Sequence, residues 1–140
     1  MAASSARSTP SAAAAGFDRQ RALTRALPAA TEDVKWGADL VHSVGGKMFA
    51  IYLLDARGVA RSCSFKVDAG RFLELTEVAG VVPAPYLARA RWVQVREPHG
   101  LAAGDLDALL RRSHALVAGG LSRTLRRSLG LPDEAPMPPT

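Results

Sequence analysis

Apolar positions along the chain first recur at helical spacing. Asp18 opens a segment in which Leu23 and Leu27 stand four apart and Pro28 follows, which predicts a short amphipathic helix over 18–27 and its stop. Thr31 to Gly37 reads as a polar connection or a short edge strand, closed by Trp36-Gly37. From Leu40 the pattern becomes that of strands, LVHSV and KMFAIYLL on either side of Gly45-Gly46. Two apolar runs joined by two glycines predict a hairpin, because its tight turn needs positive φ. A turn at Asp55-Ala-Arg-Gly58 leads into a third strand, VARSCSFKV. Val59, Cys63, Phe65 and Val67 share one face of it, with Arg61 as the exception, and Ala60, Ser62, Ser64 and Lys66 share the other. The expectation is a three-stranded meander with one wet face.

Asp68 is placed to cap a helix running through Val78 and ended by Gly80. VVPAPYLARA reads as a structured loop, since Pro83 and Pro85 remove ladder donors. Arg91 to Arg96 alternates as a strand, and from Asp105 the helical pattern returns. At 100° per residue from Arg111, Leu106, Leu110, Val117, Leu121 and Leu125 fall between about 220° and 320°, and Arg112, Arg123, Arg126 and Arg127 between about 60° and 160°. Core and arginines take opposite faces, although Leu109 and Leu116 break the separation and Gly119-Gly120 can end the helix and reset its phase.

Composition adds limits. The 140 residues, 48% hydrophobic and 22% charged, suffice for one core and not two. Twelve Gly and nine Pro follow no period, which excludes collagen and solenoid classes. The longest apolar run, Met48 to Leu54, is far below the roughly 20 residues of a membrane span. Residues 1–16 are rich in Ala and Ser with one arginine, too few for a presequence, and are expected to be a disordered tail. Residues 132–140, rich in Pro, are expected to be another, leaving 17–131 as the domain. The net charge of +5 is unevenly spread: residues 111–131 hold five arginines and no acid, whereas residues 17–110 hold 12 basic and 11 acidic side chains. A single cysteine, Cys63, excludes an intrachain disulfide and suits a reducing cytoplasm.

Enzyme templates fail. There is no P-loop, dinucleotide fingerprint, nucleophile elbow, H-E-x-x-H or C-x-x-C, so no catalytic residue, cofactor or metal is expected. His42 reads as a strand residue, His99 as part of a loop, and His114 as a core-edge histidine with one hydrogen bond. Ser113 beside it points about 100° away, and Cys63 reads as a small buried hydrophobe. Asp105 and Asp107 suit a helix start, and Glu32-Asp33 a solvated loop. Trp36 and Trp92 are either core aromatics or surface groups on which single strands stack.

The run Val44-Gly-Gly-Lys-Met-Phe-Ala50 follows Trp36-Gly37 and precedes Ser64-Phe-Lys66, Pro85-Tyr86, Arg91-Trp92 and Ser113-His114-x-Leu-Val117. This ordered set, over about residues 18 to 130, resembles the MmcQ/YjbR family of small bacterial proteins. The resemblance implies an α+β, two-layer, secretion-chaperone-like fold, with an antiparallel sheet packed against three helices, α-β-β-β-α-β-α in outline. Family members are described as DNA-binding, with hairpins acting like wings. Carried onto this chain, that implies contacts from Lys47 at the hairpin tip, Lys66 on the third strand, and Arg89 and Arg91 near the Pro-rich loop. Relatives have a His-Met-Asn-Lys-type stretch where this chain has Leu87-Ala-Arg-Ala90, so no specific polar site transfers there. The arginine face of the last helix, Arg112, Arg123, Arg126 and Arg127, completes the expected nucleic-acid-binding set. The expected function is thus a non-enzymatic cytoplasmic module binding DNA weakly and salt-dependently through phosphates. The alternative is a protein-interaction or small-ligand module using Trp36, Tyr86 and Trp92.

Overall fold

The computed structural model describes residues 16–132. The tails expected over 1–16 and 132–140 lie outside them, apart from Gly16 and Pro132. Helix α1 (Asp18–Arg25) leads into β1 (Ala30–Lys35), so the segment from Thr31 is an edge strand closed by the turn at Trp36-Gly37. β2 (Asp39–Val44) and β3 (Lys47–Leu54) form the Gly45-Gly46 hairpin, both glycines at positive φ, and β4 (Ala60–Lys66) completes the meander. A 3₁₀ turn (Ala69–Arg71) and one turn of helix, α2 (Phe72–Leu75), precede β5 (Val81–Pro83). A second 3₁₀ turn (Ala88–Ala90), β6 (Trp92–Arg96), α3 (Ala103–Gly119) and α4 (Arg123–Ser128) follow. The sheet is antiparallel throughout, in the order β1-β2-β3-β4-β6-β5, so β1 and β5 are its edges.

The helices α1 and α3 cover one face. Phe17, Phe49, Tyr52, Phe65, Leu106 and Leu110 meet between the layers, essentially without exposure. Burying such side chains contributes about 1.5–3 kcal/mol each, and this is the main term holding the layers together.

Several local expectations are corrected by contacts made far away in sequence. β4 does not alternate strictly, because Leu53 pairs with Ser62 and Leu54 with Ala60. The extra residue is Arg61, so Ala60 turns into the core and Arg61 outward. Asp68 caps nothing; both its carboxylate oxygens are taken by Arg112, and the helix expected through Val78 shrinks to α2. The Pro-rich stretch contains the short edge strand β5. Glu32 is not in a solvated loop but on β1, and its carboxylate is bonded to His42 and Arg21. Asp107 pairs with Arg19 at 2.9 Å, and α3 starts from Ala102 without a side-chain cap. The last helix is two, split at Gly119-Gly120, so the described residues hold four α-helices and not three.

The sheet face expected to be wet is half covered. Residues 84–91 fold back across it, and Val41, Ile51, Ala84 and Trp92 make a second, smaller core there. Ser62, Ser64 and Gln94 on this face are buried polar residues.

Candidate nucleic-acid interface and an adjoining cleft

Antiparallel topology gathers residues from distant parts of the chain at one end of the sheet. Lys47 stands at the hairpin tip, Lys66 ends β4, Arg89 lies within the 3₁₀ turn that enters β6, and Arg91 follows it. Gly45, at φ +59°, packs so closely on Leu121 that a Cβ there would lie 2.5 Å from its Cδ1. This contact puts the start of α4, and with it Arg123, beside the hairpin tip. Ser122 caps α4 through a 3.1 Å bond from the Leu125 N–H. The acids Asp39, Asp55, Glu97, Asp105 and Asp107 lie at the start of β2, after β3, after β6 and in the first turns of α3, which is the opposite end. Lys35, Arg57, Arg61 and Arg96 stand among them and Arg19 pairs with Asp107, so that end is close to neutral and the net positive charge lies at the hairpin-tip end.

Not every expected arginine faces solvent. Arg112 is a fork on Asp68, with bonds of 3.0 and 2.9 Å, and its side chain is 18% exposed. Its hydrogen bonds hold the Asp68 carboxyl below the usual carboxylate range. Arg126 donates to the carbonyls of Gly119 and Leu121, terminating α3. Lys66 Nζ donates to the Ala90 carbonyl at 2.7 Å and Arg91 to that of Arg89 at 3.3 Å, which pins the turn carrying Arg89. Lys47, Arg89, Arg91, Arg123 and Arg127 are exposed.

On the sheet face away from α1 and α3 lies a cleft of about 580 Å³. Met48, Ile51 and Leu87 form its apolar walls, and Trp36 and Tyr86 stand at its rim. Both rim residues are well exposed, Trp36 at 69%, and both have left-handed backbones, φ 51° and 67°. Such a conformation costs a non-glycine residue roughly 1–2 kcal/mol, here without burial to offset it. Ser64 and Gln94 supply polar atoms, and Asp39 a carboxylate. Trp92 is outside this lining; it is 4% exposed and packs beneath Ala84.

The YjbR family profile matches residues 25–116, which span the whole sheet and most of α3. This chain belongs to the YjbR family. A Deinococcus radiodurans protein, DR2400, with a DUF419 domain, is 30% identical, with a TM-score of 0.72 over 85% of this chain and 91% of its own. A Pseudomonas syringae protein of known structure shares the fold at 18% identity and a TM-score of 0.56, over 71% of this chain and 97% of that one. No curated protein matches the chain. The basic helix α4 lies beyond the span that the YjbR profile matches.

The YjbR domain also contains a buried polar chain that its sequence did not announce. His42 Nε2 donates to Glu32 at 2.8 Å, Thr24 Oγ1 lies 2.7 Å from His42 Nδ1, and the Tyr52 hydroxyl lies 2.8 Å from Thr24. Thr24, His42 and Tyr52 are fully buried, so a substrate cannot reach the hydroxyl and the chain serves packing. Burial also pushes the Cys63 thiol and the Tyr52 phenol up, so neither ionises near neutrality. His114, as expected, is a core-edge residue: Nε2 donates to the Pro28 carbonyl at 2.8 Å, and its ring meets Phe49 edge-on. Among the described residues, no group of three or more His, Cys, Asp or Glu is placed to hold a metal ion, and no helix is long and apolar enough to cross a membrane.

The chain makes stability depend on pH. Burial lowers the His42 pKa, with Glu32 opposing only in part and Arg21 and Arg25 adding to the fall. Unfolded, the same ring takes up a proton near pH 6.5. Stability present above that value is therefore lost as pH falls through it. For Glu32, burial acts to raise the pKa, but hydrogen bonds from His42 and Arg21 outweigh it and leave the group below its usual range. Its contribution is present above the unfolded carboxylate pKa and is lost at still lower pH, as solution pH drops through the folded value. The melting temperature should fall between pH 7.5 and 5.5, and His42→Gln should flatten that segment. A wild-type melting temperature constant over this interval would contradict the assignment.

Proposed function

We propose that this YjbR protein is a non-enzymatic DNA-binding module that contacts phosphates through the basic end of its sheet. The observation that supports the reading is the convergence of Lys47, Lys66, Arg89, Arg91 and Arg123 there, with Asp68 neutralised by Arg112, while at the other end acids and bases balance. Charges on turn tips suit phosphate contact, whereas base readout wants bidentate groups on an element lying in a groove. Arg112 and Arg126 support the surface from behind and are not counted as contacts. Five phosphate contacts give a salt slope near −4.5, or roughly 500-fold weaker binding at 200 than at 50 mM salt.

Fluorescence anisotropy of labelled duplex DNA at 50, 100 and 200 mM salt tests the reading. Lys47→Glu/Arg89→Glu/Arg123→Glu replaces only exposed side chains, so circular dichroism should be unchanged while the slope falls to about −2. Absence of binding by the folded wild type at 50 mM overturns it. The cleft with Trp36 and Tyr86 favours a second reading, a small-ligand or protein-interaction module; a partner that perturbs tryptophan fluorescence where DNA does not would select it.

A further inference from the structure

We propose that the cleft receives an unpaired nucleobase of a single-stranded nucleic acid, stacked on Trp36 or Tyr86, while Lys66, Arg89 and Arg91 hold the flanking phosphates. The inference rests on the phosphate-binding reading of the basic end and adds to it a second, base-directed site. Three observations carry it.

The first is the pair of aromatic rims. A tryptophan and a tyrosine, both exposed, are held in left-handed conformations at the two sides of one cleft. Local strain that is not compensated by packing marks a segment shaped for a partner. Flat rings facing solvent are the groups on which unpaired bases stack, whatever their identity.

The second is an apolar lining interrupted by a few polar groups. Arg96 Nε donates to Gln94 Oε1 at 2.8 Å, which fixes the orientation of the amide and assigns Nε2 as the end that can still donate. Ser64 adds a hydroxyl and Asp39 an acceptor within the same cleft. The rest of the lining is apolar and suits the faces of a base, while a base edge offers donors and acceptors to these few polar groups. At about 580 Å³ the space exceeds that of one base and falls in the range of small-ligand sites.

The third is position. Lys66 is on the cleft face of β4, one alternation beyond Ser64, and Leu87 of the cleft wall is two residues from Arg89. A strand whose base enters the cleft therefore runs directly onto the basic end. A duplex cannot do this, because its bases are stacked inside and must first be extruded.

The test compares three versions of the full chain, wild type, Trp36→Ala/Tyr86→Ala, and Lys47→Glu/Arg89→Glu/Arg123→Glu. Each is titrated into a labelled single-stranded 12-mer and into the duplex of the same sequence, at 50, 100 and 200 mM salt. Wild type is expected to bind the single strand roughly tenfold or more tightly than the duplex. The aromatic variant should bring single-strand affinity down to that of the duplex while leaving duplex affinity and salt slope unchanged. The charge variant should weaken both. Equal binding of the two nucleic acids by wild type, or a preference that survives in the aromatic variant, overturns the inference, assigns the cleft to another occupant such as a peptide, and leaves the phosphate reading intact. Absence of binding to both at 50 mM salt overturns both readings.

Discussion

Ser113→Ala is expected to lower folding stability by about 2–5 kcal/mol, far beyond the effect of trimming one hydroxyl at a surface. The reason lies in the sheet. Ser43 pairs with Met48 and His42 with Ala50, so β3 bulges at Phe49 and both Phe49 and Ala50 face the helices. The regular β3–β4 pairing stops at Ala50 and Phe65. One step further, where Phe49 and Lys66 would meet, the Ser113 hydroxyl of α3 bridges them, donating to the Phe49 carbonyl at 2.6 Å and accepting from the Lys66 N–H at 3.0 Å. Alanine leaves a buried carbonyl and a shielded N–H without partners, each costing about 1–3 kcal/mol. Urea denaturation should show a lower midpoint with an unchanged slope. Ser122→Ala, which removes only the exposed cap of α4, provides the comparison at about 1 kcal/mol. A Ser113→Ala loss no greater than that of Ser122→Ala would show that the rung is not a significant part of the fold.

Gly80→Ala should cost about 3–5 kcal/mol. Gly80 has φ +82°, and a Cβ there would lie 2.4 Å from the Pro98 carbonyl oxygen, 2.6 Å from His99 Cβ and 2.7 Å from the Arg96 carbonyl oxygen. Two of these three neighbours are backbone and cannot swing away. The glycine also accepts the Arg96 N–H at 2.9 Å, so relief by moving the chain breaks the join between β5 and β6. Gly58→Ala separates the two contributions. Its φ of +83° is nearly the same, but nothing lies within 4 Å, so only the backbone strain of roughly 1 kcal/mol applies. Thermal denaturation of both variants checks this, and equal losses would refute the steric part. Because β5 anchors the segment that carries Tyr86, Gly80→Ala should also loosen the rim of the cleft.

What the sequence disclosed was local. Gly45-Gly46 demanded positive φ between two apolar runs, Gly119-Gly120 marked a possible end to the long helix, and Val93 and Val95 alternated with Trp92 and Gln94. Each of these signals is contained within a few residues. What stayed hidden depends on partners far away in the chain. Asp68 has the form of a helix cap and is claimed by Arg112, 44 residues on. The bulges at Phe49 and Arg61 exist only relative to neighbouring strands, so alternation misplaced Ala60. His42 looked like an ordinary strand residue because its three companions come from α1, β1 and β3. The cleft was the least legible feature. Ser62 and Ser64 read as a wet face, and no local signal shows that residues 84–91 fold back over them through left-handed turns at Tyr86 and Arg91. Of the expected basic set, the order in sequence predicted proximity within α4 but not the meeting of Lys47, Lys66 and Arg89 at one end.

The two edges of the sheet bear on how copies of the protein tolerate one another. An open edge offers unpaired N–H and C=O groups to any passing strand and so templates addition. Here β1 carries Glu32, Asp33 and Lys35, charges that an incoming strand would have to desolvate. At the other side β5 is three residues long and ends in Pro83, which has no N–H to offer. Strand addition is therefore opposed from both sides, and crowding many copies together need not fuse their sheets.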